Sequence, residues 1–146
     1  MDRKEFLAQL GLTSAAIFAG ACLSGCSKDG ATPSGGGGGG VVPPSNVDFT
    51  INLADSANSA LLTPGGFMYQ SGVIVAFTLS SQYIAVSQKC THEGTTVVFE
   101  GANNRFYCPN HGSTYATTGA VTMGPAPDSL KRYNTSLTGT SLRVYS

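Results

Sequence analysis

Two cysteines and two histidines in the second half of the chain have the residue types and spacing of a metal site. Cys90 and His92 are separated by one residue and Cys108 and His111 by two, with the 15 residues of Glu93–Tyr107 between the pairs. Thiolate sulfur and imidazole nitrogen both bind zinc and iron. Because these are the only two histidines of the chain and each follows a cysteine, we expect the four side chains to converge on one metal centre.

Short β-strands are expected to position these ligands. Segments of strand length, rich in β-branched and aromatic residues, alternate with turns rich in Gly, Pro and Asn. They cover residues 47–53, 72–79, 83–86, 96–100, 105–107, 130–137 and 141–145. A hairpin turn at 101–104 joins the segments that carry the two ligand pairs, so both ligand loops should lie at one end and face each other. No segment after the leader shows a sustained helical apolar period, which predicts an all-β domain of small antiparallel sheets.

The sequences around the four ligands resemble the two motifs of the Rieske family. The first loop reads C-T-H-E-G and the second C-P-N-H-G-S, in the order and with the approximate gap of that family. The resemblance spans most of residues 70–146 and is strong over residues 90–127. The segment 47–69 carries no recognisable motif.

This resemblance implies one two-iron, two-sulfur cluster in an electron carrier. Cys90 and Cys108 would hold one iron as thiolates, and His92 and His111 would hold the other. It also implies a Rieske-like domain of small stacked sheets with a cluster-binding subdomain formed by two loops. The alternative is a structural zinc ion, which accepts the same ligand types but gives no reason for the flanking Gly94 and Gly112-Ser113.

The resemblance extends to residues around the ligands. Ser113 and Tyr115 match positions where high-potential members donate hydrogen bonds to a bridging sulfide and to a cysteine sulfur, which would raise the potential. The segment that starts with Gly124 and Pro125 resembles the family's proline loop, which covers the cluster on a third side. A serine in a turn, a core tyrosine and a plain turn are the alternatives.

Two features depart from the high-potential members. Those proteins have a further cysteine in each loop, and the two form a disulfide, but this chain has Thr95 and Asn110 at the matching positions. The loops must then be held by the metal and by packing. Glu93 stands where that group often has an apolar residue, and a carboxylate beside His92 should favour the oxidised, less negative cluster.

The first 26 residues resemble the leader of a bacterial lipoprotein. Charged residues 2–5 precede an apolar stretch, Phe6–Leu23, and small residues precede Cys26. This order predicts a signal peptide over residues 1–25, cleavage before Cys26 and lipid on its sulfur. The alternative is an uncleaved membrane helix, since about 18 apolar residues can just span a bilayer. Export by the twin-arginine or the general route stays open.

Residues 26–46 are predicted to be the lipidated cysteine and a flexible linker. Gly, Pro, Ser and small residues dominate from Gly30 onward, with six consecutive glycines over 35–40. Such a composition buries too little apolar surface to offset its chain entropy. The predicted folded domain is therefore 47–146, which is one ordinary domain in length.

Composition narrows the function further. The formal net charge is zero and charged residues are 11% of the chain, so nucleic acid is not an expected partner. Both histidines are assigned as ligands and no nucleophile with a base is evident, so we expect an electron carrier without catalytic activity of its own. The first hypothesis is an exported, membrane-anchored electron carrier on the periplasmic side or cell surface, whose partner is a redox protein or quinol-linked complex. The others are a Rieske subunit of a larger quinol-oxidising or molybdenum oxidoreductase and a zinc-stabilised binding lipoprotein without a redox role.

Overall fold

The computed structural model describes residues 40–146, so the predicted signal peptide and the lipid site at Cys26 lie outside the described residues. This part of the chain forms ten β-strands and two short 3₁₀ helices. The strands are β1 (Asp48–Asn52), β2 (Phe67–Gln70), β3 (Val73–Phe77), β4 (Tyr83–Ser87), β5 (Val98–Glu100), β6 (Arg105–Tyr107), β7 (Thr114–Tyr115), β8 (Val121–Met123), β9 (Arg132–Thr138) and β10 (Ser141–Tyr145), and the 3₁₀ helices are Ser56–Leu62 and Gly101–Asn103. Within 40–146 there is no helix both long and apolar enough to cross a membrane.

The strands form two antiparallel sheets. The larger sheet has six strands in the order β1-β10-β9-β4-β3-β2, and the smaller has four in the order β5-β6-β7-β8. Paired strands run antiparallel throughout both sheets. The prediction of an all-β domain of small antiparallel sheets is confirmed.

The strand β3 lies between two apolar cores, which explains its uninterrupted apolar sequence. Ile74 and Ala76 pack with Phe106 of the smaller sheet, whereas Val73 and Val75 pack with residues of β1 and β10. Successive strand residues point to opposite faces, so a strand that is buried on both faces must be apolar at every position. Both cysteines of the predicted metal site belong to the first core, so the site is built directly on a buried apolar cluster.

Most predicted strands lie close to their expected positions. The strand expected over 96–100 begins at Val98, because Thr96 forms only an isolated bridge with Lys89. The strand expected over 130–137 is β9, which begins two residues later. The hairpin turn expected at 101–104 is a 3₁₀ turn that ends at Asn104 in the left-handed conformation.

Four elements were not predicted from the sequence. The 3₁₀ helix Ser56–Leu62 is polar at its start, and the Asp55 carboxylate caps it by accepting a hydrogen bond from the Ala57 amide at 2.9 Å. β2 follows it, and the Tyr69 hydroxyl on this strand donates to the Val97 carbonyl at 2.8 Å. β7 and β8 have two and three residues, too few to show the alternation that identifies a strand.

Residues that precede Val47, the predicted start of the domain, already contact the domain. The Pro44 carbonyl accepts hydrogen bonds from the Tyr133 hydroxyl at 2.7 Å and from Lys131 Nζ at 3.1 Å. A Cβ on Gly72 would lie 2.6 Å from Pro44 Cγ, so the proline ring rests directly on that glycine. The end of the segment predicted as a flexible linker therefore packs on the domain.

Candidate metal centre

The two ligand loops have the same backbone hydrogen bonds. In the first loop the Cys90 amide donates to the Thr95 carbonyl and the Gly94 amide donates to the Cys90 carbonyl, both at 2.8 Å. In the second loop the corresponding bonds run from Cys108 to Ser113 and from Gly112 to Cys108, at 2.8 and 3.0 Å. Each loop thus curls back on its own cysteine in the same way.

A glycine makes each of these turns possible. Gly94 and Gly112 have φ angles of +74° and +78°, a left-handed conformation that residues with a Cβ adopt at a cost of about 1–2 kcal/mol. The flanking glycines seen in the sequence are therefore explained by loop geometry. This geometry presents a histidine two residues after Cys90 and three residues after Cys108.

The two thiols are buried and the two imidazoles point outward. Cys90 and Cys108 are 1% and 2% exposed and form no disulfide with any described residue. His92 is half-buried and His111 is exposed. The loops therefore separate the sulfur donors from the nitrogen donors by depth.

The histidine nitrogens are spaced like two ligands of one metal ion. The Nδ1 atoms of His92 and His111 are 3.1 Å apart, and their rings are inclined by 77°. Two metal–nitrogen bonds of about 2 Å at a tetrahedral angle would place the nitrogens about 3.3 Å apart. The pair is thus already arranged for chelation.

The sulfur atoms do not belong to the same compact group of donors. Among residues 40–146, the group with three or more donor atoms close enough for one ion consists of His92, Glu93 and His111, whose atoms lie within 4.8 Å of one another. Neither Cys90 nor Cys108 is part of it. A buried thiol pair with a separate imidazole pair fits two metal positions rather than one, and a two-iron cluster has that arrangement.

Burial and hydrogen bonding act differently on the two thiols. Burial raises the pKa of Cys90, but hydrogen bonds from the Tyr115 hydroxyl and the His92 and Glu93 amides outweigh it and lower the pKa below its ordinary value. The pKa of Cys108 is raised by burial and by the neighbouring Cys90. Cys90 is therefore the thiol more readily ionised.

Tyr115 places a buried hydroxyl against the Cys90 thiol. Its hydroxyl lies 3.2 Å from Cys90 Sγ, and it also accepts from the Thr91 amide at 3.3 Å. Burial and the contact with Cys90 raise the pKa of Tyr115 to about 12, so the phenol keeps its proton at neutral pH. The structure thus brings Tyr115 to Cys90, whereas the sequence resemblance implied a cysteine sulfur as its partner without naming which one.

The proline loop is tied to both ligand loops. The fully buried Ser113 hydroxyl accepts a hydrogen bond from the Ala126 amide at 3.0 Å, which leaves the hydroxyl proton free to donate. The Thr91 hydroxyl donates to the Asp128 carbonyl at 2.6 Å. The hydrogen bonds of the Thr91 hydroxyl and the Ala126 amide were missed by the sequence reasoning, because neither residue type indicates such a contact.

Gly124 and Pro125 are the first residues of this loop, directly after β8. Both are exposed, the peptide bond between them is cis, and the following Ala126 is buried in the core that contains both cysteines. Ala126, rather than the proline, therefore makes the apolar contact of the loop with the site.

Glu93 reaches across to the second ligand loop. Its carboxylate accepts a hydrogen bond from Asn110 Nδ2 at 3.1 Å and lies 3.7 Å from His111 Nδ1. The sequence analysis had placed this carboxylate beside His92, the neighbour in the chain. The loops face each other closely enough that Glu93 is near both histidines, since the ligand atoms of His92, Glu93 and His111 all lie within 4.8 Å of one another.

These features define an iron–sulfur protein whose two ligand loops stand on a small β-sheet. The family model of the Rieske [2Fe-2S] domain matches residues 58–134, slightly more than half of the chain. The chain therefore belongs to the Rieske family and binds one [2Fe-2S] cluster. Such a cluster takes up and releases single electrons, so electron transfer is the chemistry that the domain supports.

Curated relatives share the domain but are longer. The chain is 34% identical over 78 residues to the cytochrome b6-f complex iron-sulfur subunit of Chlorobaculum thiosulfatiphilum, covering 53% of this chain and 43% of that protein. It is 56% identical over 41 residues to the corresponding subunit of Trichodesmium erythraeum, covering 28% and 23%. The matches therefore span less than half the length of these relatives.

Solved structures show the same fold. The cyanobacterial plasma membrane Rieske protein PetC3 from Synechocystis PCC 6803 is 32% identical, with a TM-score of 0.51, and the match covers 70% of this chain and all of that one. The match to a complex of reduced oxygenase and oxidized ferredoxin in carbazole 1,9a-dioxygenase has a TM-score of 0.54, covering 69% of this chain and 94% of that one. Its identity of 19% supports the fold alone.

Proposed function

We propose that the protein is a single-electron carrier in which Cys90 and Cys108 hold one iron of the cluster and His92 and His111 hold the other. The observation that carries this proposal is the division of the donors into two buried thiols and an outward imidazole pair with nitrogens 3.1 Å apart. The bound cluster supplies a one-electron redox couple. The protein keeps water from the sulfurs and leaves the histidine edges open to a partner.

Ser113 and Tyr115 are proposed to set the reduction potential. Both are buried, both hydroxyls can donate, and Tyr115 already lies at Cys90. Donation to sulfur stabilises the more negative, reduced state and so raises the potential. The loop that begins with Gly124 and Pro125 is proposed to cover the site, supported by the bond between Ala126 and Ser113.

The carrier is proposed to be an exported lipoprotein. Residues 1–25 would be the signal peptide, lipid on Cys26 would hold the chain at the membrane on the periplasmic side or cell surface, and 47–146 would be the Rieske domain. Because Pro44 packs on the domain, the free linker would run from Cys26 to about Gly40. Its root-mean-square span would be about 20 Å, from 5–6 Å times the square root of its length.

The partner is proposed to be a redox protein or a quinol-linked complex. The names of the curated relatives, subunits of cytochrome b6-f complexes, and of the plasma membrane Rieske protein support a membrane-associated electron-transfer role. A subunit of a larger complex is the second candidate function. Purification from native membranes distinguishes the two, because a subunit elutes with a large partner and a free carrier elutes alone.

Metal analysis tests the proposed ligand set. The matured protein should contain two irons and two acid-labile sulfides per chain and give an electron paramagnetic resonance signal on reduction. His111→Ala and Cys108→Ser should each abolish that signal. One zinc per chain and no sulfide would support the zinc alternative and overturn the proposal.

The lipid anchor is tested separately. The wild-type precursor should incorporate labelled fatty acid and fractionate with membranes. Cys26→Ser should lose the label, while Cys22→Ser, which changes a cysteine inside the predicted signal peptide, should keep it. Labelling that persists in Cys26→Ser would refute the assignment of this residue.

A further inference from the structure

A cleft of about 430 Å³ lies beside the first ligand loop. His92 and Thr91 line it from that loop, Pro127 lines it from the proline loop, and Val41 and Pro43 line it from the N-terminal segment. A group that enters this cleft therefore meets a proposed iron ligand. The site described above does not use the cleft.

Three charged side chains line the cleft. Lys89 and Lys131 are cationic, and Asp128 is anionic. Lys89 Nζ donates to the Thr96 hydroxyl and Lys131 Nζ to the Pro44 carbonyl, both at 3.1 Å. These acceptors are neutral, and in the part of the chain that the structure describes neither lysine forms an ion pair. The cleft therefore carries a net positive charge, and each ammonium group has donors to spare.

The charge of two arginines is compensated, in contrast to that of these lysines. Arg105 pairs with Glu100 and Arg143 pairs with Asp48, each at 2.6 Å. Arg132 lines other clefts and does not line this one. The uncompensated lysine charges thus lie beside a proposed cluster ligand.

We propose that this cleft docks an acidic surface of the electron-transfer partner, with Lys89 and Lys131 as the cationic contacts beside His92. The inference rests on the proposed electron-carrier function and adds the chemistry of the partner. Charge complementarity selects an anionic occupant. An acidic protein is the occupant that fits, because contact with His92 serves a group that exchanges electrons with the cluster.

Small oxidants of opposite charge measure the local field at this cleft. The reduced, cluster-loaded full chain is mixed with ferricyanide, a trivalent anion, or with tris(phenanthroline)cobalt(III), a trivalent cation. The rate constant for ferricyanide is divided by that for the cobalt complex, so that changes in cluster potential largely cancel. A trivalent anion about 10 Å from one lysine should gain about twofold in rate at 0.1 M salt and about fourfold at 0.01 M. Because the cobalt cation is repelled as strongly as the ferricyanide anion is attracted, Lys89→Met and Lys131→Met should each lower the ratio by the square of these factors, about fourfold at 0.1 M salt and about 16-fold at 0.01 M. Asp128→Asn should raise the ratio.

Two control variants separate charge from structure. Arg132→Met removes a positive charge from the neighbouring position outside the cleft, so it should lower the ratio by clearly less than either lysine variant, with the smallest effect at 0.1 M salt. Tyr133→Phe removes the other hydrogen bond to the Pro44 carbonyl without a change of charge and should leave the ratio unchanged. Equal effects of Lys89→Met and Arg132→Met would overturn the proposal.

A hexaglutamate peptide tests the acidic occupant directly. At low salt it should slow ferricyanide oxidation of the wild type and leave the Lys89→Met/Lys131→Met double variant unaffected. Equal slowing of both proteins, or of neither, would overturn the docking site. Failure of the electron-carrier function would be recognised earlier, because the purified protein would then show no reducible cluster.

Discussion

The hydroxyl of Tyr115 provides the sharpest test of how this fold sets the cluster potential. Tyr115→Phe removes the donor that lies 3.2 Å from Cys90 Sγ while keeping the buried ring. Extra charge on the reduced cluster strengthens a hydrogen bond to sulfur, so this donor stabilises the reduced state more than the oxidised state. Its loss should therefore lower the midpoint potential.

The size of the shift follows from the energy of a hydrogen bond to a charged group. Such a bond contributes roughly 1.5–3 kcal/mol, and only the part that differs between the two oxidation states affects the potential. A difference of about 1 kcal/mol corresponds to about 40 mV for a one-electron couple, because about 1.4 kcal/mol and 59 mV each describe a tenfold change. We expect a decrease of about 40 mV.

The assay is a redox titration monitored by electron paramagnetic resonance, with Tyr133→Phe as the matched control. Tyr133 is also buried, and its hydroxyl donates to the Pro44 carbonyl instead of a cysteine. Both variants should lose about 1 kcal/mol of unfolding free energy from a missing hydrogen bond, but only Tyr115→Phe should change the midpoint. An unchanged midpoint in Tyr115→Phe, or equal shifts in both variants, would refute the reasoning.

Three further predictions concern loop charge, loop conformation and acid stability. Glu93→Gln should raise the midpoint by on the order of 20 mV, because a charge several ångströms from the cluster is removed, while Glu100→Gln should leave it unchanged in the same titration. Gly112→Ala should speed loss of the cluster absorbance on heating; Gly139→Ala introduces a similar positive-φ strain in a distant turn and should not. Hydrogen bonds from Arg105 lower the pKa of Glu100 below its ordinary value of 4.5, so its stabilising contribution is full above that value and lost as the pH falls through the lower folded-state pKa. Denaturant titrations should show the difference in unfolding free energy between wild type and Glu100→Gln shrinking as the pH falls below 4.5, and a difference that does not vary with pH would contradict this.

The sequence predicted the parts of the site that depend on local pattern. The two Cys/His pairs indicate the metal centre by residue type and spacing, and the curl of each loop requires the glycine that follows. The sheet fold was predictable because β3 and β4 are apolar runs of strand length. Each of these signals is contained within about ten residues.

Contacts between segments distant in sequence could not be predicted in the same way. Thr91 bonds the Asp128 carbonyl, 37 residues away, and Pro44 bonds Tyr133, 89 residues away. A threonine or a backbone carbonyl has no sequence pattern that identifies such a partner. The contacts of Glu93 with Asn110 and His111 were missed for the same reason, because the approach of the two loops depends on the whole sheet.

Side-chain hydrogen bonds explain how the two ligand loops are held without a disulfide. A disulfide between positions 95 and 110 would close a loop of about 15 residues and contribute about 3 kcal/mol in the chain-entropy model. Here the loops are joined directly by the bond between Glu93 and Asn110, and indirectly by the bonds of Thr91 and Ser113 to the proline loop. Three bonds at roughly 0.5–1.5 kcal/mol each give a contribution of similar size. Unlike a disulfide, they are insensitive to thiol reductants, so the loops can keep their geometry when the surroundings become reducing.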